Sequence, residues 1–219
     1  MEKYVRSLYR TTGATGLNRL EELFQKTGSP AEFTRGYLAY LGTLLDRIDE
    51  HELGQVVEVL MEARTKGQHI YVMGNGGSAA TASHFANDLS ICTRAGTLPF
   101  RAQSCTDNVP TLTSISNDFG YEDVFFKQLE HRANRGDVVI AISASGNSEN
   151  ILKAVDYANA SGCITVGFTG FDGGHLRERA SIGVHVPSGQ GEYGPVEDMH
   201  MIFDHVIANY LMLRCRAER

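Results

Sequence analysis

Short apolar runs alternate with helical stretches from residue 69 onward, and this alternation constrains the fold more than any other feature of the chain. The runs predict strands near residues 69–73, 99–104, 137–142, 163–168 and 182–186. A strand followed by a helix and another strand favours parallel pairing, with helices covering both faces of the sheet. The predicted fold class is therefore α/β, a three-layer αβα sandwich with a five-stranded parallel sheet.

The stretch before residue 67 is predicted to be helical wherever its apolar side chains recur at helical spacing. Apolar side chains recur at helical spacing in residues 17–26, 30–50 and 53–66, and the last two segments carry wide apolar faces that need a partner. We therefore divide the chain into an N-terminal helical segment, residues 1–66, and a sheet domain, residues 67–219.

The composition of the 219 residues, with 42% hydrophobic side chains, suits one α/β domain with an added helical segment. A formal net charge of −6 argues against a nucleic-acid surface. No apolar run approaches the ~20 residues that a membrane span needs, and the first residues lack the apolar stretch of a secretory signal. We expect a cytoplasmic protein with no membrane or nucleic-acid partner.

The four cysteines are scattered along the chain at positions that form no C-x-x-C motif. They are Cys92, Cys105, Cys163 and Cys215. This spacing supports neither a zinc knuckle nor a redox dithiol, so reduced thiols are expected.

A glycine turn follows the first predicted strand, at Gly74, Gly76 and Gly77. Glycines permit close approach of a ligand to the backbone, and free N–H groups at the following helix start favour a phosphate. Ser78 could cap that helix and donate its hydroxyl to the same anion. The turn lacks the motifs of dinucleotide-binding and Walker loops, so a tight turn without a ligand is the alternative.

A second loop of the same kind, residues 143–148, follows the third strand and precedes a helical stretch, residues 149–160. Its serine and asparagine side chains can donate several hydrogen bonds to phosphate oxygens at a helix N-terminus. The alternative is an elaborate helix cap formed by Ser148. Both loops follow parallel strands and so meet at one edge of the sheet, which predicts a site for one phosphorylated small molecule.

His84 and Asp88 lie four residues apart in the helix after the glycine turn, so both project from one face. A divalent metal could use both side chains. The alternative is an ordinary helical pair joined by a hydrogen bond.

A second cluster of ionisable side chains lies near the C-terminus, at Glu197, His200, Asp204 and His205. Glu197 with His200, or His200 with Asp204, could form local helical pairs without a catalytic purpose. Glu197 and His205 are separated by about 12 Å along a helix and roughly 80° around it. Two long side chains can still converge on an ion from that distance.

The order of these motifs is similar to that of the sugar isomerase (SIS) domain. The blocks that carry the resemblance are residues 74–78 with His84 and Asp88, and then residues 117–120, 143–148 and 169–174. The match runs from about residue 46 to the C-terminus and most resembles the phosphoheptose isomerases, which interconvert sedoheptulose 7-phosphate and heptose 7-phosphate. The resemblance implies a flavodoxin-like SIS domain in a homotetramer, with residues 1–66 serving oligomerisation.

The resemblance also assigns the site residues. It implies acid–base catalysis through an enediol by Asp88, Glu197 and His205. It implies a divalent metal, zinc foremost, on His84, Asp88, Glu197 and His205, with His200 outside the ligand set. The substrate-binding residues it implies are Asn75, Gly76, Gly77, Ser78, Asn117, Asp118, Ser143, Ala144, Ser145, Ser148 and Glu197.

The chain departs from the family pattern at four of its site positions. Asp88 stands where the family has the glutamate proposed as the base, and Glu197 stands where it has glutamine, so either carboxylate is a candidate base. Cys92 and Gly194 replace an arginine and an aspartate. The sugar is therefore left open. An isomerase of another sugar phosphate and a non-catalytic SIS module that binds a sugar phosphate or a protein are the alternatives.

Overall fold

The structure is a computed structural model that describes residues 16–96 and 98–218. In the described part of the chain, three helices precede the sheet: α1 (Arg19–Lys26), α2 (Pro30–Leu45) and α3 (Glu50–Lys66). The predicted second helix is wrong at its end, because the chain leaves α2 at Leu45 and Asp49 then caps α3 by accepting a hydrogen bond from the backbone N–H of His51. Residues 1–15 of the predicted helical segment lie outside the described residues.

The sheet has five parallel strands in the order β2-β1-β3-β4-β5. The strands are β1 (His69–Gly74), β2 (Arg101–Ser104), β3 (Val138–Ser143), β4 (Ile164–Thr169) and β5 (Ile182–His185). Each lies within two residues of its predicted bounds. The order is that of flavodoxin-like folds, in which the connections change direction between β1 and β3 and ligands bind at that point.

Helices cover both faces of the sheet. They are α4 (Gly77–Asn87), which continues into a π-helical turn (Asp88–Cys92), α5 (Val109–Asp118), α6 (Phe126–Arg132), α7 (Glu149–Ala160), α8 (Gly174–Arg179) and α9 (Tyr193–Ala217); a 3₁₀ turn (Tyr121–Asp123) joins α5 to α6. Among the described residues, no helix is long and apolar enough to cross a membrane.

Alternate residues of the central strands face two separate cores, which confirms the predicted three-layer sandwich. Ile140 of β3 packs in one core with side chains of α3, α4 and α9, whereas Val139 packs in the other with side chains of α6, α7 and α8. Leu60 of α3 is fully buried in the first core. The last predicted helix of the N-terminal segment therefore packs directly on the sheet.

Two histidines, the buried His200 and the half-buried His185, lie within hydrogen-bond distance of the last residue of β4, Thr169. His200 of α9 lies 3.3 Å from the Thr169 carbonyl oxygen through Nε2, and His185 of β5 lies 3.1 Å from the Thr169 hydroxyl through Nδ1. Burial lowers the pKa of both His200 and His185 to about 4. Both imidazoles are therefore neutral in the folded protein at neutral pH.

We expect His200 to make the protein sensitive to acid. The unfolded chain takes up a proton on this residue near its ordinary pKa of 6.5, but the folded protein does so only near pH 4, so stability falls as the pH drops between these values. His200→Leu should remove a slope of up to about 1.4 kcal/mol per pH unit from the free energy of unfolding across this window.

Urea unfolding of metal-free protein at several pH values, followed by circular dichroism, measures this slope. The exposed His175, replaced by glutamine, serves as the control and should keep the wild-type slope. If His200→Leu only displaces the whole stability curve and leaves its slope intact, the buried imidazole is not the source of the acid sensitivity.

Candidate active site

A cavity of about 280 Å³ lies at the carboxyl ends of β1 and β3. The sheet order changes direction at this point. The lining residues are Asn75, Gly76, Gly77, Ser78, Ile142, Ser143, Ala144, Ser145, Ser148, Tyr193 and Glu197. The two loops predicted from the sequence to share one site are therefore brought together.

The glycine turn opens α4 without a side-chain cap. Gly76 occupies the N-cap position with φ 55°, a left-handed value that favours glycine, and no side chain of the described residues caps the free helix N–H groups. The predicted cap by Ser78 is wrong, because Ser78 lies inside the first turn and is buried. The amide donors of this turn remain available to a ligand.

The serine loop leaves the N-terminus of α7 equally open. Ser148 occupies the N-cap position, but its side chain makes no capping hydrogen bond. The Ser143 hydroxyl oxygen accepts from the Gly146 N–H at 3.1 Å and lies 3.5 Å from the Ser148 hydroxyl oxygen. This geometry favours the anion-binding interpretation of the loop over the helix-cap alternative.

An amide pair joins the two loops from behind the cavity. Asn75 and Asn150 each donate a side-chain N–H to the other's carbonyl oxygen at 2.9 Å, and the Tyr121 hydroxyl donates to the Asn75 oxygen at 2.8 Å. Asn150 and Tyr121 are not predicted from the sequence, since their contacts with Asn75 join distant parts of the chain. Asn117 and Asp118, predicted to bind substrate, are exposed at the end of α5 and are not among the lining residues.

A cluster of histidine and aspartate side chains lies further along α4 and α9. Its members are His84, Asp88, Asp204 and His205, with one potential ligand atom from each lying within 4.8 Å of the others. The Nε2 atoms of His84 and His205 are 3.1 Å apart. His84 Nε2 also lies 3.5 Å from Asp88 Oδ2 and 3.8 Å from Asp204 Oδ2. Three of the four predicted metal ligands are therefore brought together.

Asp204 stands in this cluster in the place predicted for Glu197. Its side chain is 0% exposed, and neither carboxylate oxygen has a hydrogen-bond partner among the described residues. Burial, followed by the nearby charge of Asp88, raises the pKa of Asp204 to about 8. The sequence pattern indicates Asp204 only as a helical partner of His200, but His200 contacts the Thr169 carbonyl oxygen instead. A buried carboxylate without a hydrogen bond is costly, and a cation is a natural complement for it.

Glu197 lies outside the cluster and lines the cavity instead. A Cβ atom added to Gly77 would fall 2.3 Å from the Glu197 carboxylate, so Glu197 packs directly against the glycine turn and a larger residue there would displace its carboxylate. Burial raises the pKa of Glu197, and the neighbouring charge of Asp198 raises it further. The predicted convergence of Glu197 and His205 fails because eight residues of helix hold them about 12 Å apart along the axis.

The π-helical turn after α4 provides further contacts to Asp88, in addition to the contact with His84. It is closed by the Thr93 N–H, which donates to the Asp88 carbonyl oxygen at 3.0 Å. This wider turn places Cys92 beside Asp88, whose hydrogen bond with the thiol is the main reason that the pKa of Cys92 is raised. The Asn87 side chain donates to Asp88 Oδ1 at 3.3 Å. Isolated π-helical turns are often found at functional sites.

The relatives of the chain agree with this architecture. Residues 36–170 match the SIS domain family. The phosphoheptose isomerase of Aliarcobacter butzleri is 36% identical over 80% of this chain and 93% of its own length, and that of Geobacter metallireducens is 39% identical over 69% and 79%. The structure of phosphoheptose isomerase from Neisseria gonorrhoeae superposes with a TM-score of 0.76 at 27% identity, covering 84% of this chain and 98% of that one. The chain therefore belongs to the SIS domain family and, within it, to the phosphoheptose isomerases.

Proposed function

We propose that this protein is an aldose–ketose isomerase that interconverts sedoheptulose 7-phosphate and heptose 7-phosphate through an enediol. The observation that carries the proposal is the position of Glu197, a carboxylate in the wall of the cavity that the glycine turn and the serine loop form together. An isomerisation of this kind needs a base that moves a proton between adjacent carbons and an electrophile that stabilises the enediol oxygens.

The phosphate is assigned to the serine loop. Ser143, Ser145 and Ser148 line the cavity, and the uncapped N-terminus of α7 adds backbone donors and the positive end of a helix dipole. Lys and Arg are absent from the described lining residues, so backbone and hydroxyl donors would neutralise the phosphate. Asn75, Gly76 and Gly77 are then placed to contact the sugar hydroxyls.

The sugar chain is proposed to extend along α4 from the cavity towards the histidine–aspartate cluster. Gly77 borders the cavity and His84 belongs to the cluster, and seven residues of helix between them span about 10 Å. A phosphate on the serine loop, at one end of an extended seven-carbon sugar, would place the reacting carbons within this span, between the Glu197 carboxylate beside Gly77 and the cluster. Contact of the Asn117 and Asp118 side chains with the substrate stays a prediction.

Glu197 is the better candidate for the base of the two carboxylates left open by the sequence. Its raised pKa makes it a stronger base than an ordinary glutamate, and it faces the cavity. Asp88 is instead held by Asn87 and Cys92 and lies 3.5 Å from His84. Glu197 would take the proton from one carbon and return it to the next, while Asp88 serves the cluster.

The cluster fits a divalent metal ion. Two imidazole nitrogens and two carboxylates are a donor set that suits zinc, and the unpartnered oxygens of buried Asp204 are what a cation would satisfy. His84, Asp88, Asp204 and His205 would hold the ion. When bound, it would polarise the substrate carbonyl and stabilise the negative oxygen of the enediol.

His205→Gln is expected to abolish measurable turnover while leaving inorganic phosphate binding unchanged, because His205 lies in the cluster and not in the cavity. Calorimetric zinc titration of the variant separates two roles. A loss of affinity marks His205 as a ligand, whereas unchanged affinity with lost turnover marks it as a proton carrier. Retained turnover would rule out both roles.

The proposed function is tested by incubating zinc-loaded protein with sedoheptulose 7-phosphate and with shorter ketose phosphates, following aldose formation by NMR. We expect the seven-carbon substrate to react fastest. A faster reaction with a shorter ketose would assign the protein to another sugar phosphate. That alternative is favoured by Cys92 and Gly194, which stand where the family has an arginine and an aspartate. No reaction with any of them would favour the binding-module alternative.

We also propose a cytoplasmic homotetramer. Val206, Tyr210 and Leu213 form an apolar row along α9 that is more than half exposed, and Leu38 of α2 is 62% exposed, as expected of surfaces that pack against other subunits. The four cysteines form no disulfide within the described residues, which is usual in a reducing compartment.

A further inference from the structure

Two tyrosines of α2 bond to carboxylates at the start of α9. The Tyr37 hydroxyl donates to Asp198 Oδ2 at 2.5 Å, and the Tyr40 hydroxyl donates to Glu192. Glu192 is 1% exposed and also accepts from the backbone N–H groups of Arg19 at 2.7 Å and Gly189 at 2.9 Å. The entrance to α9 is thus fixed by α1, by α2 and by the loop that precedes α9.

This entrance carries the proposed base. Glu197 lies in the first two turns of α9, next to Asp198, and its carboxylate packs directly against Gly77. On the other side, a Cβ atom at Gly194 would lie 3.2 Å from the Tyr37 hydroxyl oxygen. The position of this part of the helix, and therefore of the Glu197 carboxylate, depends on close contacts on both sides.

We propose that Tyr37 and Tyr40 are positioning residues for the isomerisation: they hold the start of α9 so that Glu197 faces the cavity, and Tyr37 also tunes the charge beside Glu197 through Asp198. This inference rests on the proposed function, in which Glu197 is the base. It assigns a catalytic purpose to the N-terminal helices in addition to their packing on the sheet.

The groups that face Glu197 determine how its pKa responds to the loss of Tyr37 or Asp198. They are Asp198 on its own helix, Tyr37 from α2, Tyr193 in the cavity wall, and the uncharged amides and hydroxyls of the two loops. The Asp198 charge raises the pKa of Glu197, and the Tyr37 O–H dipole points at that charge and offsets part of it. Losing the hydroxyl should raise the pKa of Glu197, whereas losing the Asp198 charge should lower it.

The test compares Tyr37→Phe and Asp198→Asn with wild type. The pKa of Glu197 is measured directly by NMR titration of protein labelled with carbon-13 at the glutamate carboxyls, using Glu197→Gln to assign the signal. We expect this pKa, and the acidic limb of the kcat/KM pH profile, to move up in Tyr37→Phe and down in Asp198→Asn. We expect kcat of Tyr37→Phe to fall about threefold or more with KM little changed.

Tyr157→Phe, which removes a hydroxyl from α7 outside the cavity, is the matched control and should behave as wild type. The inference is overturned if Tyr37→Phe keeps the wild-type kcat and Glu197 pKa. It is also overturned if kcat falls together with the urea midpoint while the pKa stays fixed, since that means only structural damage. If wild type shows no isomerase activity, the proposed function fails separately, and the NMR titration still decides whether Tyr37 and Asp198 tune Glu197.

Discussion

Glu197→Gln is expected to lower kcat by about 10²–10⁴-fold, the range usual for loss of a general base. The glutamine keeps the size of the side chain against Gly77 but cannot accept the proton from the substrate carbon. Zinc affinity should be unchanged, because Glu197 lies outside the histidine–aspartate cluster. Steady-state kinetics with sedoheptulose 7-phosphate and calorimetric zinc titration measure the two effects.

The matched comparison is Asp88→Asn, which changes the other candidate base. This variant should weaken zinc binding as well as turnover, since Asp88 lies 3.5 Å from His84 in the cluster. The assignment is reversed if Glu197→Gln remains active while Asp88→Asn binds zinc normally and is inactive.

The second large effect is expected at Asp204. Asp204→Asn should weaken zinc binding by at least about 10–100-fold, the loss typical of disturbing even the outer partners of a metal site. The reason is that the asparagine cannot supply the negative charge that a buried carboxylate brings to the cation. Zinc titration against a competing chelator measures the change, and turnover should fall with it.

Two controls separate this effect from misfolding. Asp46→Asn, at an exposed position at the end of α2, should bind zinc as wild type does. Metal-free Asp204→Asn should be at least as stable to urea as metal-free wild type, because the substitution removes a buried carboxyl group that has no hydrogen-bond partner among the described residues and whose raised pKa makes folding costly at neutral pH. Normal zinc binding by Asp204→Asn together with its loss in Glu197→Gln would restore the ligand set predicted from the sequence.

The fold could be predicted from local patterns because each layer leaves a periodic signal. Apolar runs such as residues 137–142 place the strands within two residues, and the alternation with helices leads directly to a parallel sheet. The end of α2 was missed because Leu45 and Ile48 continue the apolar pattern beyond the helix, while the capping of α3 by Asp49 depends on a side-chain bond.

The candidate site could be predicted where its residues share one element or one edge of the sheet. The spacing of His84 and Asp88 and the two loops at the carboxyl ends of β1 and β3 are of this kind. The presence of Asp204 rather than Glu197 beside the two histidines could not be predicted, because it depends on how α9 packs against α4. The full burial of Asp204 leaves its oxygens without a hydrogen-bond partner among the described residues, and no sequence pattern indicates that depth of burial.

The most direct test of the account is the fate of one proton during turnover of sedoheptulose 7-phosphate in heavy water. NMR can locate deuterium at the two adjacent carbons between which the proton is transferred. We predict that zinc-loaded wild type incorporates deuterium there while forming the aldose, and that Glu197→Gln, with zinc bound, incorporates almost none. Deuterium incorporation that is equally fast in Glu197→Gln and in wild type would contradict an enediol mechanism with Glu197 as its base.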